Sequence, residues 1–155
     1  MYNLLGRIYC EGVVMNKYVV GFAFSENLRA VLLIQKNHPD WQKGFLNGIG
    51  GKIEPKEKPL DAMHRECQEE TGLGLVWIHR GVMCGTNNDG SEFECHIFYA
   101  YSDKIFKFQQ KETEKLGIYF INHLHMEKTI ANVKALIQFG LCSDHCNFIT
   151  MEYGE

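Results

Sequence analysis

Glu66, Glu69 and Glu70 stand next to Arg65 and just before Thr71-Gly72. At about 100° per residue, the three carboxylates fall within roughly a 100° arc of one helix face. Like charges at that spacing repel, each close pair by a few tenths of a kcal/mol. A hard divalent cation such as Mg²⁺ takes oxygen ligands and would turn that repulsion into coordination. A lone cluster of glutamates is ordinarily a solvated acidic face. Here the flanking residues decide the reading.

Those residues run Gly51, five positions, Glu57, seven positions, Arg65-Glu66, the apolar Cys67, Gln68, Glu69-Glu70, Thr71, Gly72, Leu73. The pattern resembles the Nudix box, with every fixed position filled. The resemblance implies a MutT-like hydrolase that cleaves a pyrophosphate bond with Mg²⁺, or Mn²⁺ in its place. It further implies that Glu66, Glu70 and often Glu69 hold the metal, joined by the Gly50 carbonyl. Arg65 and Glu57 match a pair that orients those carboxylates, and Lys52 matches a lysine near the phosphates.

The general base is open between a box glutamate and a carboxylate of a later loop. Glu114 stands five residues before Tyr119, a distance at which similar enzymes carry a metal-bound or catalytic glutamate. It is the favoured candidate, ahead of Glu112.

The run Asn47 to Lys52 (NGIGGK) resembles that of mammalian-type oxidised purine nucleoside triphosphatases, in which the asparagine contacts the base. Ala131-Asn132 resembles a MutT segment whose asparagine bonds a guanine-type base; an amide can both donate to and accept from a purine edge. The Trp and paired Asp that read the oxidised base in the mammalian type have no match between Tyr119 and Phe139. Lys36 and Trp41, in the loop Lys36 to Gly44, are candidates for phosphate contact and base stacking. The expected substrate is a nucleoside triphosphate, with damaged purine nucleotides as candidates. ADP-ribose or another nucleoside diphosphate derivative is the alternative, and a catalytically silent nucleotide-sensing module the alternative from another class.

The elements that must position these groups follow from pattern. Pro59 suits a first helical turn, Asp61 suits its dipole and Gly72 suits a left-handed cap, so one helix spans Pro59 to Thr71. Leu60, Met63 and Cys67 form its apolar stripe. Lys17 to Phe24 and Ala30 to Gln35 read as antiparallel strands, and the first twelve residues as an added edge strand. Leu73 to Thr86, bent near Gly81, and Glu92 to Tyr101 read as a second pair around the turn at Asn87 to Gly90, with His96 as a sheet histidine. Ser102 to Leu116 reads as a mobile polar loop, Gly117 to Ile121 as a strand, Met126 to Phe139 as a second helix, and Phe148 to Thr150 as a last strand. Strands with a helix on each face give an α/β/α sandwich around a mixed sheet, the fold that the resemblance also implies.

Length and charge narrow the function. The 155 residues, 45% apolar and 23% charged, suit one Nudix domain over 1–155. A net charge of −3 gives no electrostatic case for nucleic acid or anionic membranes. No apolar run approaches the roughly 20 residues that cross a bilayer, and no secretion signal opens the chain. Six scattered cysteines suit reduced thiols and a cytoplasmic setting. Cys142 and Cys146 around His145 form a weak candidate metal clip. The expected partner is a small nucleotide, bound by a monomer or homodimer.

Overall fold

The computed structural model describes residues 15–87, 89–142 and 148–153. The proposed N-terminal edge strand and the His145 and Cys146 of the clip lie outside them. Strand β1, Met15–Phe24, shows how the sequence builds the core. Val19 and Ala23 point to one side, while Val20, Phe22 and Phe24 point to the other, as a two-residue repeat requires. The same alternation in β2 (Ala30–Gln35) splits Leu32 from Val31 and Leu33. Two apolar cores result. Helix α1, Pro59–Thr71, packs Ala62, Met63 and Cys67 on the first side. Helix α2, Val133–Leu141, packs Val133, Leu136 and Ile137 on the second. The expected α/β/α sandwich is what forms.

The sheet is mixed. Strands β3 (Leu46–Asn47) and β4 (Ile49–Lys52) lead into α1. They are followed by β5 (Ile78–Thr86), β6 (Glu92–Tyr101), β7 (Lys115–Phe120) and β8 (Ile149–Tyr153). The main path runs β3-β2-β1-β6-β5-β8, with β4 also on β1 and β7 on β2. Strand β1 is parallel to β6, and β5 to β8; the other pairs are antiparallel. β1 touches β2 at Ala23–Leu32 and Phe24–Val31, then pairs with β4 from Gly21 to Tyr18. The two strands therefore splay, and β3, β4 and the start of the β4–α1 loop fill the opening. That splay brings the Gly50–Gly51 backbone under α1.

Three expectations change. Leu60 is exposed, and the buried stripe of α1 is instead Ala62, Met63, Cys67, Glu70 and Thr71. The second helix begins at Val133 rather than Met126: Leu46 exchanges backbone bonds with Lys128 and Ile130, which ties that stretch to β3 before helix can start. Residues 102–116 carry a 3-10 turn, Asp103–Lys107, with Ile105 fully buried. Composition alone hid that anchoring. The bend near Gly81 is present as an irregularity between His79 and Gly81, and 73–77 precede the strand rather than joining it. Among the described residues, no helix is long and apolar enough to cross a membrane.

Candidate active site

The helix and its loop converge through Arg65. Its Nε donates to Glu57 Oε1 at 2.8 Å and its Nη2 to Glu57 Oε2 at 3.0 Å, a two-pronged pair. Nη1 donates to Glu66 Oε1 at 2.7 Å and Glu69 Oε2 at 3.2 Å. Nη2 also donates to the Lys52 carbonyl at 3.0 Å, fixing the end of β4. Hydrogen bonding to Arg65 holds the Glu57 carboxyl below the usual range, and the Glu57 partner raises Arg65 in turn. One guanidinium thus joins four of the site residues expected from sequence. The Lys52 side chain itself is exposed.

The three box glutamates differ in burial across their arc. Glu69 is half exposed, the Glu66 side chain is 14% exposed, and Glu70 is buried at 5%. Glu66 lies flat against Gly51, where a Cβ would meet its Oε1 at 2.5 Å. Gly50, at φ 153°, turns its N–H toward Glu70 Oε2 at 3.1 Å, and a side chain there would collide with the Val19 carbonyl. Burial pushes Glu66 upward against the pull of Arg65. Burial pushes Glu70 to about 8, with Lys36 and the Gly50 N–H opposing and Glu66 and Glu112 adding repulsion.

As the side chains stand, no three His, Cys, Asp or Glu groups among the described residues close into a metal cluster. Glu66 and Glu69 are turned onto Arg65 and Glu70 onto Gly50. The donor set nevertheless suits a hard divalent cation. It is all oxygen, it lies against a backbone stripped of Cβ atoms, and its innermost carboxyl has more burial than compensation.

Glu114 is held by partners from a distant part of the chain. It is 3% exposed, and both its oxygens are engaged: Lys36 Nζ reaches Oε2 at 2.8 Å and Asn37 N–H reaches Oε1 at 2.7 Å. Burial would raise its carboxyl, but these two donors together bring it below the usual range. Each oxygen thus accepts one donor, and the two bonds fix how the carboxylate is turned. Lys36 gives one of its three ammonium donors to this pair. The loop carboxylate that acts on Glu66 and Glu70 is that of Glu112, which is exposed.

The substrate-side candidates are dispersed. Trp41 sits on a 3-10 turn, Asp40–Gln42, 68% exposed and open to stacking. Asn47 Oδ1 accepts from Gly48 N–H at 2.8 Å. Asn132 Nδ2 donates to Met83 Sδ at 2.9 Å. The Leu46 bonds to Lys128 and Ile130 bring their two chain segments side by side, although each amide has its own partner. His96 is a buried sheet histidine, as expected: its Nε2 lies 2.9 Å from Glu94 and its Nδ1 3.0 Å from His79. A cleft of about 200 Å³ beside α2, lined by Ile121, Lys134 and Leu141 among others, holds no acidic side chain.

Residues 15–135 match the model of the NUDIX domain family. The chain belongs to the Nudix family. Nudix enzymes use divalent metal ions and as a class hydrolyse pyrophosphate bonds. No curated protein matches. Among solved structures, the Nudix chain resembles MutT in a study of the Aliivibrio salmonicida and Vibrio cholerae proteins, at 21% identity and a TM-score of 0.66, covering 83% of this chain and 99% of that one. It also resembles MutT from Bacillus halodurans, at 22% and 0.66, covering 89% and 90%. The NUDIX domain of Shewanella oneidensis NrtR, solved with ADP ribose, matches at 16% and 0.69, covering 81% and 85%. At these identities the likeness concerns the fold.

Proposed function

We propose that this Nudix chain is a Mg²⁺-dependent hydrolase that splits a nucleoside triphosphate into a monophosphate and pyrophosphate, with damaged purine nucleotides as candidate substrates. The observation that carries the reading is the buried, under-compensated Glu70 beside Glu66 on the Gly50–Gly51 backbone. Glu66, Glu70, Glu69 and the Gly50 carbonyl would hold the ion, with Mn²⁺ able to replace it. When bound, the ion polarises a phosphoryl oxygen and lowers the pKa of a bound water.

The chain's own groups do the rest. Arg65, fixed by Glu57, keeps Glu66 and Glu69 oriented. Glu112 supplies the loop carboxylate that takes the proton of the attacking water, the role expected of Glu114 from sequence. Lys52 offers its charge to the phosphates. Trp41 offers a ring face to the base, and Asn47 and Asn132 offer amides to its edge.

The test is a panel of nucleoside triphosphates, ADP-ribose and dinucleotides incubated with Mg²⁺, with products read by chromatography. Turnover of at least one triphosphate to monophosphate and pyrophosphate is expected. Turnover of ADP-ribose with every triphosphate untouched would replace this reading by the diphosphate-derivative one. Binding without any turnover would leave a nucleotide-sensing module.

A further inference from the structure

The loop 36–44 and the arm 108–114, which is bonded to the end of α1, come from different parts of the chain, yet they share one buried junction. Lys36 N–H donates to the Phe45 carbonyl and Gly44 N–H to the Lys36 carbonyl, which closes the neck of the loop carrying Trp41. At that neck Glu114 receives Lys36 Nζ and the Asn37 N–H, while Asn37 Nδ2 reaches the Thr113 carbonyl at 3.4 Å. His38 Nδ1 lies 3.6 Å from the same carboxylate.

The arm is equally fixed on its other side. Gln109 N–H donates to the Thr71 carbonyl at the end of α1, at 2.9 Å. Gln109 and Lys111 lie so close over Gly72 that a Cβ there would meet them at 3.2 and 3.1 Å. Within the arm, Gln110 Nε2 donates to the Glu112 carbonyl at 2.7 Å and the Glu114 carbonyl at 2.5 Å, and its Oε1 accepts from Leu116 N–H. Glu112 therefore stands on a stapled turn that crosses the last turn of α1, where Glu69 and Glu70 sit.

We infer that Glu114 is a positioning residue: its buried carboxylate docks the Trp41 loop onto the Glu112 arm, so that both are set together against the carboxylate face of α1. The inference rests on the hydrolase reading for what the two loops do, but not for whether they are docked. A buried ion pair with a backbone donor suits this role. Its geometry is specific, and breaking one side leaves an uncompensated charge.

Two readouts test it, amide hydrogen exchange and steady-state kinetics. In Glu114→Ala, exchange in residues 36–44 and 109–114 rises together, by about tenfold or more. In the same variant, kcat falls and KM rises at once, each by roughly tenfold, because both loops are misplaced. Glu112→Gln lowers kcat alone, and Trp41→Ala raises KM alone. Glu114→Gln, which keeps the shape and an acceptor oxygen, recovers most of what Ala loses. Lys36→Met repeats the exchange pattern and serves if Glu114→Ala does not fold.

Loosening of one loop or neither in the folded variants overturns the docking. So does a Glu114→Gln defect confined to kcat and as deep as that of Glu112→Gln, which would make Glu114 catalytic itself. If the wild type hydrolyses nothing on the panel while both loops loosen together, docking stands and the hydrolase reading falls.

Discussion

Glu70 and Glu114 are buried alike, at 5% and 3% exposure, and have opposite electrostatics. Glu114 faces an ammonium and a backbone N–H, one on each oxygen, and sits below the usual carboxylate range. Glu70 receives, among the described residues, the Gly50 N–H on one oxygen, with Lys36 acting from further off and two carboxylates repelling it, and burial carries it to about 8. A protein that can neutralise one buried glutamate so fully has the means to neutralise the other. Leaving Glu70 short of positive charge disfavours its ionised form. The two residues show how differently one fold can surround a buried carboxylate.

The comparison breaks most easily at Glu70. Several kcal/mol of transition-state stabilisation attach to a catalytic metal, so Glu70→Gln should lower turnover by on the order of 10³-fold. The same substitution removes the uncompensated charge, so metal-free protein should melt at a higher temperature than wild type above pH 8, beyond the value of about 8 that burial imposes. The sign follows from linkage. A carboxyl raised by folding favours the fold below its unfolded value and loses that contribution as pH rises through the folded one. Unchanged turnover in Glu70→Gln, by steady-state assay, would erase the distinction between the two glutamates.

Arg65 gives the next largest effect. It grips Glu57 by two prongs and spreads Nη1 over Glu66 and Glu69. Lysine keeps the charge but cannot make that fork. Arg65→Lys should lower kcat by roughly 10- to 100-fold with apparent Mg²⁺ affinity weakened in parallel, measured by titrating the ion against activity.

Adding Mg²⁺ to the wild type sharpens the contrast without a mutation of the site. Binding at a hundred times the dissociation constant stabilises by about 2.7 kcal/mol, or roughly 5–10 °C in a protein of this size. The shift should vanish in Glu70→Gln and persist in Glu114→Gln, by differential scanning fluorimetry. An equal loss in both would return Glu114 to the metal.

Sequence carried the parts of this molecule that spacing controls. Pro59, Asp61 and Gly72 bounded α1 to the residue, and the Arg65–Glu57 partnership followed from the box. The pattern of apolar residues gave β2, β6 and both faces of the sheet. It failed where a polar side chain is buried by something distant in the chain. Glu114 and Lys36 are 78 positions apart, and neither has a neighbour in sequence that betrays the pair. Gln110, which staples the Glu112 turn, looks like any polar loop residue. Distance along the chain to Tyr119 does not tell which of Glu112 and Glu114 turns inward; in the fold it is Glu114. The late start of α2 has the same origin: Lys128 and Ile130 are claimed by Leu46, across the fold.

Glu94 supplies a third buried glutamate and the mildest test. It lies, 5% exposed, with His96 Nε2 at 2.9 Å, Lys17 Nζ at 4.0 Å, and His79 linked on behind His96 at 3.0 Å. Hydrogen bonding to His96 brings its carboxyl below the usual range. Its compensation is therefore partly imidazole, where that of Glu114 is a lysine. His79 is lowered by burial and by His96 from the ordinary 6.5, and its ring packs on Phe98 and Phe148. As pH falls through 6.5 the unfolded chain takes up a proton at this position before the folded one does, so stability declines toward the lowered folded value. The Glu94 contribution has the same direction but goes later, as pH falls below the ordinary carboxylate range. Melting temperature followed from pH 7.5 downward should show the first decline, and His79→Gln should flatten it while leaving the later, carboxylate part in place. A curve unchanged by His79→Gln would mean that the Glu94 network rests on Lys17 and His96 alone.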